Sequence, residues 1–344
     1  MTLPPLSLPA ILLVAHFSAA AQTEDLPNHA ALNLPGAGYG LSIGNSARHS
    51  GLRFNWSDRG IEEIDGVNFT FWVPGEPLGG TINGVGFGLG VMGAGEINGL
   101  SFGLGGVFGD RALNGMTIGG LAIITSGNAA GVTFSGFGAV ASGSLTGFNF
   151  GGVGCVAGGD MIGVSFGGLG LVASGSLTGV NLGGLGLVAK EQMLGVNFAG
   201  LGLIAGGRIG FLTFAGLAAV GAEEVTGLTV AGGAVVANAD ITGLSITAGT
   251  IQTAADIAGV TVAGFRTKSD HVTGIDLNVV TTDVRCSTGI VTGLYNHISD
   301  RQEGISIGLI NRAGNLYGVQ IGLINIAGNN PEGFRALPIL NAHF

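Results

Sequence analysis

The chain repeats a 16-residue unit through most of its length. A glycine opens each unit from Gly99 to Gly259, and Phe211 is the one exception in that series. The spacing shortens to 14 or 15 residues from Gly259 to Gly333, and a looser version of the unit begins at Gly40. A unit this short cannot bury an apolar side alone, but identical units can bury it by stacking on one another. The repeat therefore predicts a stacked structure rather than a conventional globular core.

The residues after each opening glycine alternate in polarity. The first and third are apolar, as in Val164 and Phe166, and the second is Ser, Thr or Asn. A period of two is typical of a β-strand with one buried face, so we expect the apolar pair to point inward. The polar residues should then form a ladder on the surface, the candidate site residues of this chain: Ser101, Thr117, Thr133, Asn149, Ser165, Asn181, Asn197, Thr213, Thr229, Ser245 and Thr261.

These patterns predict an all-β fold, an elongated single-domain β-solenoid of about 18–20 short coils with 14–16 residues each. The high glycine content, 69 of 344 residues, fits a narrow cross-section with tight corners. No proline occurs between residues 78 and 330, as a continuous hydrogen-bonded ladder requires. We divide the chain into an N-terminal cap with irregular first repeats (22–80), solenoid repeats (81–333) and a C-terminal cap (334–344).

The first 21 residues predict a secretory signal peptide. An apolar stretch over 10–15 leads to the small residues Ala19 and Ala21, which fit cleavage before Gln22. The stretch is shorter than the roughly 20 residues that span a bilayer. We therefore expect an exported protein at the cell surface, associated with the outer membrane, or in the periplasm.

Composition and motifs argue against several kinds of chemistry. A net charge of -9, with Lys190 and Lys268 as the only lysines, excludes nucleic acid as an expected partner. Gly163–Gly167 matches the G-x-S-x-G nucleophile motif, but that motif requires a following helix that the repeat does not predict. The six histidines show no metal-ligand spacing, and Cys155 occupies an apolar repeat position that favours a small buried side chain. We expect no enzyme activity, cofactor, metal site or catalytic residue.

Two alternatives follow from the same features. Export, period-2 segments and the C-terminal Phe344 also fit an outer-membrane β-barrel that acts as a pore or anchor. Against it, the split unit offers segments of about 5–7 residues where a spanning strand needs about 9–11. A carbohydrate-active β-helix is the other alternative, because Asp240 and Asp256 occupy one repeat column at a spacing compatible with a retaining glycosidase pair.

The C-terminal repeats resemble a known group of proteins. Gly304–Asn311 reads G-I-S-I-G-L-I-N and Gly318–Asn325 reads G-V-Q-I-G-L-I-N, similar to the tandem units of bacterial surface-repeat proteins of the leptospiral type. The resemblance is close over 304–327 and rests only on period and column pattern over about 40–303. It implies a surface or outer-membrane-associated protein and brings no catalytic residues. We therefore predict an exported, non-enzymatic scaffold whose partners are envelope or extracellular macromolecules, with the ligand left open.

Overall fold

A computed structural model describes residues 31–36 and 38–344 of the chain. The predicted signal peptide, residues 1–21, lies outside the described residues. Strands account for 72% of the structure. Among the described residues, no helix is long and apolar enough to span a membrane.

In the described part of the chain, thirty strands follow one another. Those up to residue 151 are β1 (Ala31–Gly36), β2 (Tyr39–Gly44), β3 (Arg48–Asn55), β4 (Glu63–Thr70), β5 (Thr81–Gly88), β6 (Val91–Gly103), β7 (Gly106–Gly119), β8 (Ala122–Thr125), β9 (Asn128–Ser135), β10 (Gly138–Ala141) and β11 (Leu145–Gly151). The middle strands are β12 (Gly154–Ala157), β13 (Met161–Gly167), β14 (Gly170–Ala173), β15 (Leu177–Gly183), β16 (Gly186–Ala189), β17 (Met193–Ala199), β18 (Gly202–Ala205), β19 (Ile209–Ala215), β20 (Ala218–Gly221), β21 (Val225–Ala231) and β22 (Ala234–Ala237). The last strands are β23 (Ile241–Thr247), β24 (Thr250–Gln252), β25 (Asp256–Ala263), β26 (Arg266–Asn278), β27 (Thr281–Thr292), β28 (Tyr295–Ile307), β29 (Ile310–Ala327) and β30 (Ala336–His343).

Each central coil consists of one long and one short strand. The long strand β13 pairs in parallel with β15 of the next coil, so that Gly163 lies beside Gly179. The short strand β14 pairs in the same way with β16. Like residues therefore stack on like residues through about 17 coils, close to the 18–20 expected. The prediction of a β-solenoid is confirmed, and the alternative of a barrel is wrong, because the strands stack in successive coils instead of closing into a cylinder.

The opening glycine of each coil occupies a position that a side chain could not share. Gly163 has a φ of 116°, in the left-handed region that favours glycine. A Cβ added to Gly163 would lie 2.1 Å from the carbonyl oxygen of Gly147 in the preceding coil. The repeat period is therefore set by a backbone contact between adjacent coils.

The apolar core is a narrow column inside the stack. Met161 and Leu177, which end successive repeat units in the sequence, are fully buried, and so is Leu171 on the short strand. Small residues such as Ala173 fill the remaining inward positions. A Cβ on Gly167 would lie 2.2 Å from the Gly170 carbonyl oxygen across the turn and 3.0 Å from Leu171 Cδ2. The leucine side chain therefore fills the interior beside this glycine.

Both ends of the stack carry an antiparallel strand. β1 pairs antiparallel with β2, and β30 pairs antiparallel with β29. Near the N-terminal end, the buried Arg53 forms an ion pair with Asp58 and donates hydrogen bonds to Asn68 (2.6 Å) and Asn45 (2.7 Å). The boundaries proposed for the two caps remain predictions.

Candidate interaction surface

The predicted surface ladder lies in the interior, so the expected orientation is wrong. Every member is buried, with 3% or less of its surface exposed: Ser101, Thr117, Thr133, Asn149, Ser165, Asn181, Asn197, Thr213, Thr229, Ser245 and Thr261. The apolar neighbours point outward instead; Val164 and Phe166 are exposed on either side of the buried Ser165. Shifting a strand by one residue exchanges its inward and outward side chains. In the long strands, the polar residue of the triplet points inward and its two apolar neighbours point outward, the reverse of the prediction.

Hydrogen bonds connect several of the buried polar residues from coil to coil, whereas Thr213 Oγ1 and Thr229 Oγ1 have no hydrogen-bond partner. Ser101 Oγ donates to Thr117 Oγ1 at 3.0 Å, and Asn181 Nδ2 donates to Asn197 Oδ1 at 2.9 Å. Asn149 Nδ2 donates to Ser165 Oγ at 3.3 Å. Burying a polar group is costly unless it is hydrogen-bonded, so these contacts offset the cost of placing the ladder in the core. The ladder is a structural element, and the serine of the G-x-S-x-G match is one of its members.

The outward side chains form a continuous apolar face along the stack. We define the apolar face by three positions in each coil, which in the central coil are Val164 and Phe166 on β13 and Leu169 in the turn that follows. All three are exposed. The first position is held by Val85, Leu100, Met116, Val132, Phe148, Val164, Val180, Val196, Leu212, Leu228, Leu244, Val260, Ile275, Ile290, Ile305 and Val319.

The second position is rich in phenylalanine in the N-terminal half. Its occupants are Phe87, Phe102, Ile118, Phe134, Phe150, Phe166, Leu182, Phe198, Phe214, Val230, Ile246, Val262, Leu277, Thr292, Ile307 and Ile321. The rings stack between coils, with centroids 4.5 Å apart for Phe134 and Phe150 and 5.0 Å apart for Phe150 and Phe166. Each ring thus shields one side of its neighbour and leaves its outer edge in solvent.

The third position lies at the turn and is the most exposed. It includes Leu104, Phe137, Leu169 and Leu217, each more than half exposed. Glycine interrupts it at Gly233 and Gly249. Beyond the N-terminal end of the face, the exposed side chains are aromatic: Trp56 is 70% exposed and stacks on Trp72 with ring centroids 6.3 Å apart.

Charged residues of the central coils lie mostly in a different turn. Between residues 99 and 263, eight of the ten lie in or beside the turn that joins a short strand to the next long strand: Asp160, Lys190, Glu191, Arg208, Glu223, Glu224, Asp240 and Asp256. The other two, Asp110 and Arg111, lie at the corresponding place in β7, which continues without a turn. Acidic groups outnumber basic ones, so this turn forms an acidic edge. None of these residues lies at a position of the apolar face.

Several polar side chains of the acidic edge bind the backbone of the next coil. Asp160 Oδ1 accepts a hydrogen bond from the Ser176 amide at 2.8 Å, and Asn128 Oδ1 accepts one from the Ser144 amide at 2.8 Å. Asp240 Oδ1 accepts a hydrogen bond from the Asp256 amide at 3.1 Å. The aspartates that could form a glycosidase pair therefore lie in one column as expected, and one of them supports the turn of the other.

The interior becomes more polar toward the C-terminal end. Asn296 Nδ2 donates to Asn311 Oδ1 at 2.7 Å, and Asn311 Nδ2 donates to Asn325 Oδ1 at 2.8 Å. Asn311 and Asn325 are the final residues of the two L-I-N segments, so that motif marks a second buried ladder. Beside it, burial raises the pKa of the Asp276 carboxyl, an effect partly offset by hydrogen bonds from its neighbours Thr261, Thr267, Thr282 and Asn278.

One cluster near the C-terminal end has the composition of a metal site. Ligand atoms of Asp256, Asp270 and His271 lie within 4.8 Å of one another. The Arg285 guanidinium already binds there, donating to Asp270 through Nε at 2.6 Å and through Nη2 at 2.9 Å, and it also contacts His271. The hydrogen bonds from Arg285 hold the pKa of the Asp270 carboxyl below its usual range. The cluster is thus an ion-pair network in which arginine supplies the cation.

The two cysteines are free thiols in different environments. Cys155 is fully buried in the column that Leu171 continues, which confirms its interpretation as a small core residue. Burial raises its pKa to about 12, so the thiol stays protonated and unreactive at neutral pH. Cys286 is half-buried.

Comparison of the chain with protein-family models, curated proteins and solved structures gives no match. Inferences about function therefore rest on the surface and the sequence. The sequence interpretation missed the apolar face, although its signal was present. Outward positions tolerate side chains from Val to Phe, whereas the ladder position is restricted to Ser, Thr and Asn throughout the central repeats.

Proposed function

We propose that this protein is an exported, non-enzymatic scaffold of the bacterial cell envelope or cell surface that binds other macromolecules through its apolar face. The main observation in support is the length of that face, which runs from Val85 to Leu323 without a charged residue at any of its positions. Exposed apolar patches of this extent mark interaction sites in soluble proteins. Export is supported by the predicted signal peptide and by the resemblance of residues 304–327 to surface-repeat proteins.

The fold itself does not require an apolar exterior. On the outward side of the short strands, apolar residues such as Val172 continue only to Val236. The same column then carries Gln252, Lys268 and Asp283. The solenoid therefore accepts polar and charged residues at outward strand positions, and the persistent apolarity of the main face needs a cause other than folding.

Polar groups that could support chemistry have structural partners. Ser165 is enclosed in the buried ladder, Asp240 binds a backbone amide, and Asp270 binds Arg285. These contacts favour a scaffold over an enzyme of the carbohydrate-active class. Affinity would be distributed over many coils, as in other repeat proteins with extended binding surfaces.

The proposal can be tested by placing charges on the face in the cells that produce the protein. We expect the double variant Val164→Glu/Val196→Glu to be released from the envelope fraction several-fold more than wild type. The matched control Ser142→Glu/Ser174→Glu adds the same charge, two coils apart, at exposed positions of the acidic edge. The control should fractionate like wild type and remain accessible to protease on intact cells.

Unfolding by urea establishes that both variants keep their fold. A folded face variant that stays in the envelope like wild type would contradict a role for the apolar face. A wild-type protein found only in the cytoplasm would contradict the proposed location.

A further inference from the structure

We propose that the apolar face binds a second copy of this chain, face to face and antiparallel, so that the scaffold is a homodimer. This inference rests on the proposed function and names the macromolecule that the same surface binds. Four properties of the described residues support it: the size of the face, its repeat spacing, the placement of charge and the distribution of large side chains.

The face has the area of a stable interface. About 16 coils at about 4.8 Å give a length of about 75 Å, and the three positions span a width of about 12 Å. The resulting area of about 900 Å² per copy matches the roughly 800 Å² that each partner contributes to a standard interface. Covering it would bury the exposed parts of Val164, Phe166 and Leu169 and of their counterparts along the stack.

The spacing of the side chains favours an identical partner. Every column of the face repeats once per coil, because long strands such as β13 and β15 pair in register. Only a partner with the same strand spacing can fit its side chains between these rows along the whole length. Sheets that share a spacing form dry, interdigitated contacts of this kind.

Charge placement allows two copies to approach. The charged residues of the central coils lie along the acidic edge and not on the face, so two apposed faces bring no charged pair of these coils into direct contact. The face also has no lysine or arginine among its positions, so it offers no cation to the headgroups of anionic lipids. These features favour a protein partner over a membrane surface.

The distribution of bulk favours the antiparallel orientation. Phenylalanine dominates the second position up to Phe214, whereas branched aliphatic residues occupy it from Val230 onward. The third position is open at Gly233 and Gly249. A two-fold axis across the middle of the stack places the bulky half of each copy against the smaller half of the other. Such a contact is isologous and closes after two copies.

Sedimentation velocity of the protein purified without detergent tests the association. We expect a species with twice the mass of one chain for wild type and for the control Ser142→Glu/Ser174→Glu. Val164→Glu/Val196→Glu should raise the dissociation constant by at least roughly 100-fold, because an isologous contact would bury each carboxylate twice without a partner. Wild-type protein that stays monomeric at micromolar concentration would overturn the proposal, as would a control that dissociates equally.

Cysteine cross-linking tests the orientation. Leu100 and Ile305 hold the first position in coils equally distant from the two ends of the face, so an antiparallel dimer brings Leu100 of one copy near Ile305 of the other. In a Cys286→Ser background, we expect disulfide-linked dimers from Leu100→Cys/Ile305→Cys and not from either single variant. If the single Leu100→Cys variant gave as much disulfide-linked dimer as the double variant, the antiparallel arrangement would be overturned.

Vesicle sedimentation separates this inference from the alternative occupant and from the proposed function. Monomeric wild type that binds phosphatidylcholine vesicles through the face would assign the face to lipid and overturn the dimer. In that case the binding of macromolecules through the face would fail as well. Monomeric wild type that binds no vesicles, but whose envelope retention still depends on Val164 and Val196, would overturn the dimer alone and leave the scaffold role standing. If retention does not depend on those residues, the scaffold role fails whatever the oligomeric state.

Discussion

Replacing one opening glycine with alanine should destabilise the solenoid more than replacing a glycine that makes no close contact with a neighbouring coil. Gly163 is suitable because it lies in the middle of the stack and has a φ of 116°. The added Cβ would lie 2.1 Å from the Gly147 carbonyl oxygen and 2.9 Å from its carbonyl carbon. Since that carbonyl belongs to the neighbouring coil's backbone, one of the two coils must move.

Three contributions set the expected magnitude. The strained backbone conformation costs about 1–3 kcal/mol for a residue other than glycine. Displacing the carbonyl weakens one or two ladder hydrogen bonds, at about 1 kcal/mol each. The lower entropy of the unfolded alanine chain offsets about 0.4–1 kcal/mol of this loss. We therefore expect Gly163→Ala to lower the free energy of unfolding by about 1–5 kcal/mol on these terms.

Gly186 provides the matched control. It has no left-handed φ, and a Cβ there would meet only the Gly202 carbonyl oxygen at 3.5 Å. The equivalent positions two and three coils later already hold Ala218 and Ala234. Urea unfolding followed by circular dichroism should show a large shift of midpoint for Gly163→Ala and a small one for Gly186→Ala. Equal shifts of the urea midpoint would refute the argument that contact between opening glycines sets the repeat period.

Two further substitutions test the column of opening residues and the interior. Phe211 has a φ of 82° at a position where the other coils have glycine, and the pairing of β19 with β21 skips Gly210 and Phe211. Phe211→Gly should therefore raise the free energy of unfolding by about 1 kcal/mol, and an unchanged or lower urea midpoint would contradict this. Burial raises the pKa of Asp276, so its contribution to stability is complete below the pKa of the unfolded chain and is lost as the pH rises through the pKa of the folded protein. With Asp276→Asn, the free energy of unfolding should therefore fall less steeply as the pH rises above about 4. Parallel pH profiles for variant and wild type would show that the buried Asp276 carboxyl does not cause the decline.

Periodicity in the sequence was sufficient to predict the solenoid and part of its core. The spacing between opening glycines predicts which residues stack, because each coil lies on the previous one in register. The unit-closing residues Met161 and Leu177 were expected to be apolar partners of the stack, and they are fully buried. Cys155 could be placed in the core for the same reason, since its column otherwise holds apolar residues.

Side-chain orientation could not be predicted from alternation alone. An apolar–polar–apolar triplet fits a strand in either phase, and hydrophobicity favours placing the apolar residues inside. The deciding factor is the space inside the coil, where Met161 and Leu171 are already fully buried and Leu171 Cδ2 lies 3.0 Å from the place that a Cβ on Gly167 would take. We infer that this leaves no room for Phe166, whereas Ser165 fits and accepts a hydrogen bond from Asn149.

The outward orientation of the apolar residues connects the fold to the proposed role. Stacking shields only part of each outward side chain, as the exposed Val164 and Phe166 show, so a single chain leaves much of its apolar surface in water. A narrow core explains why bulky residues lie outside but not why every coil of the face is apolar, since Lys268 and Asp283 occupy outward positions on the short strands. We therefore expect the excess apolarity to be covered by a contact beyond the single chain. The proposed second copy, which has the same strand spacing, would cover it along the whole length of the face.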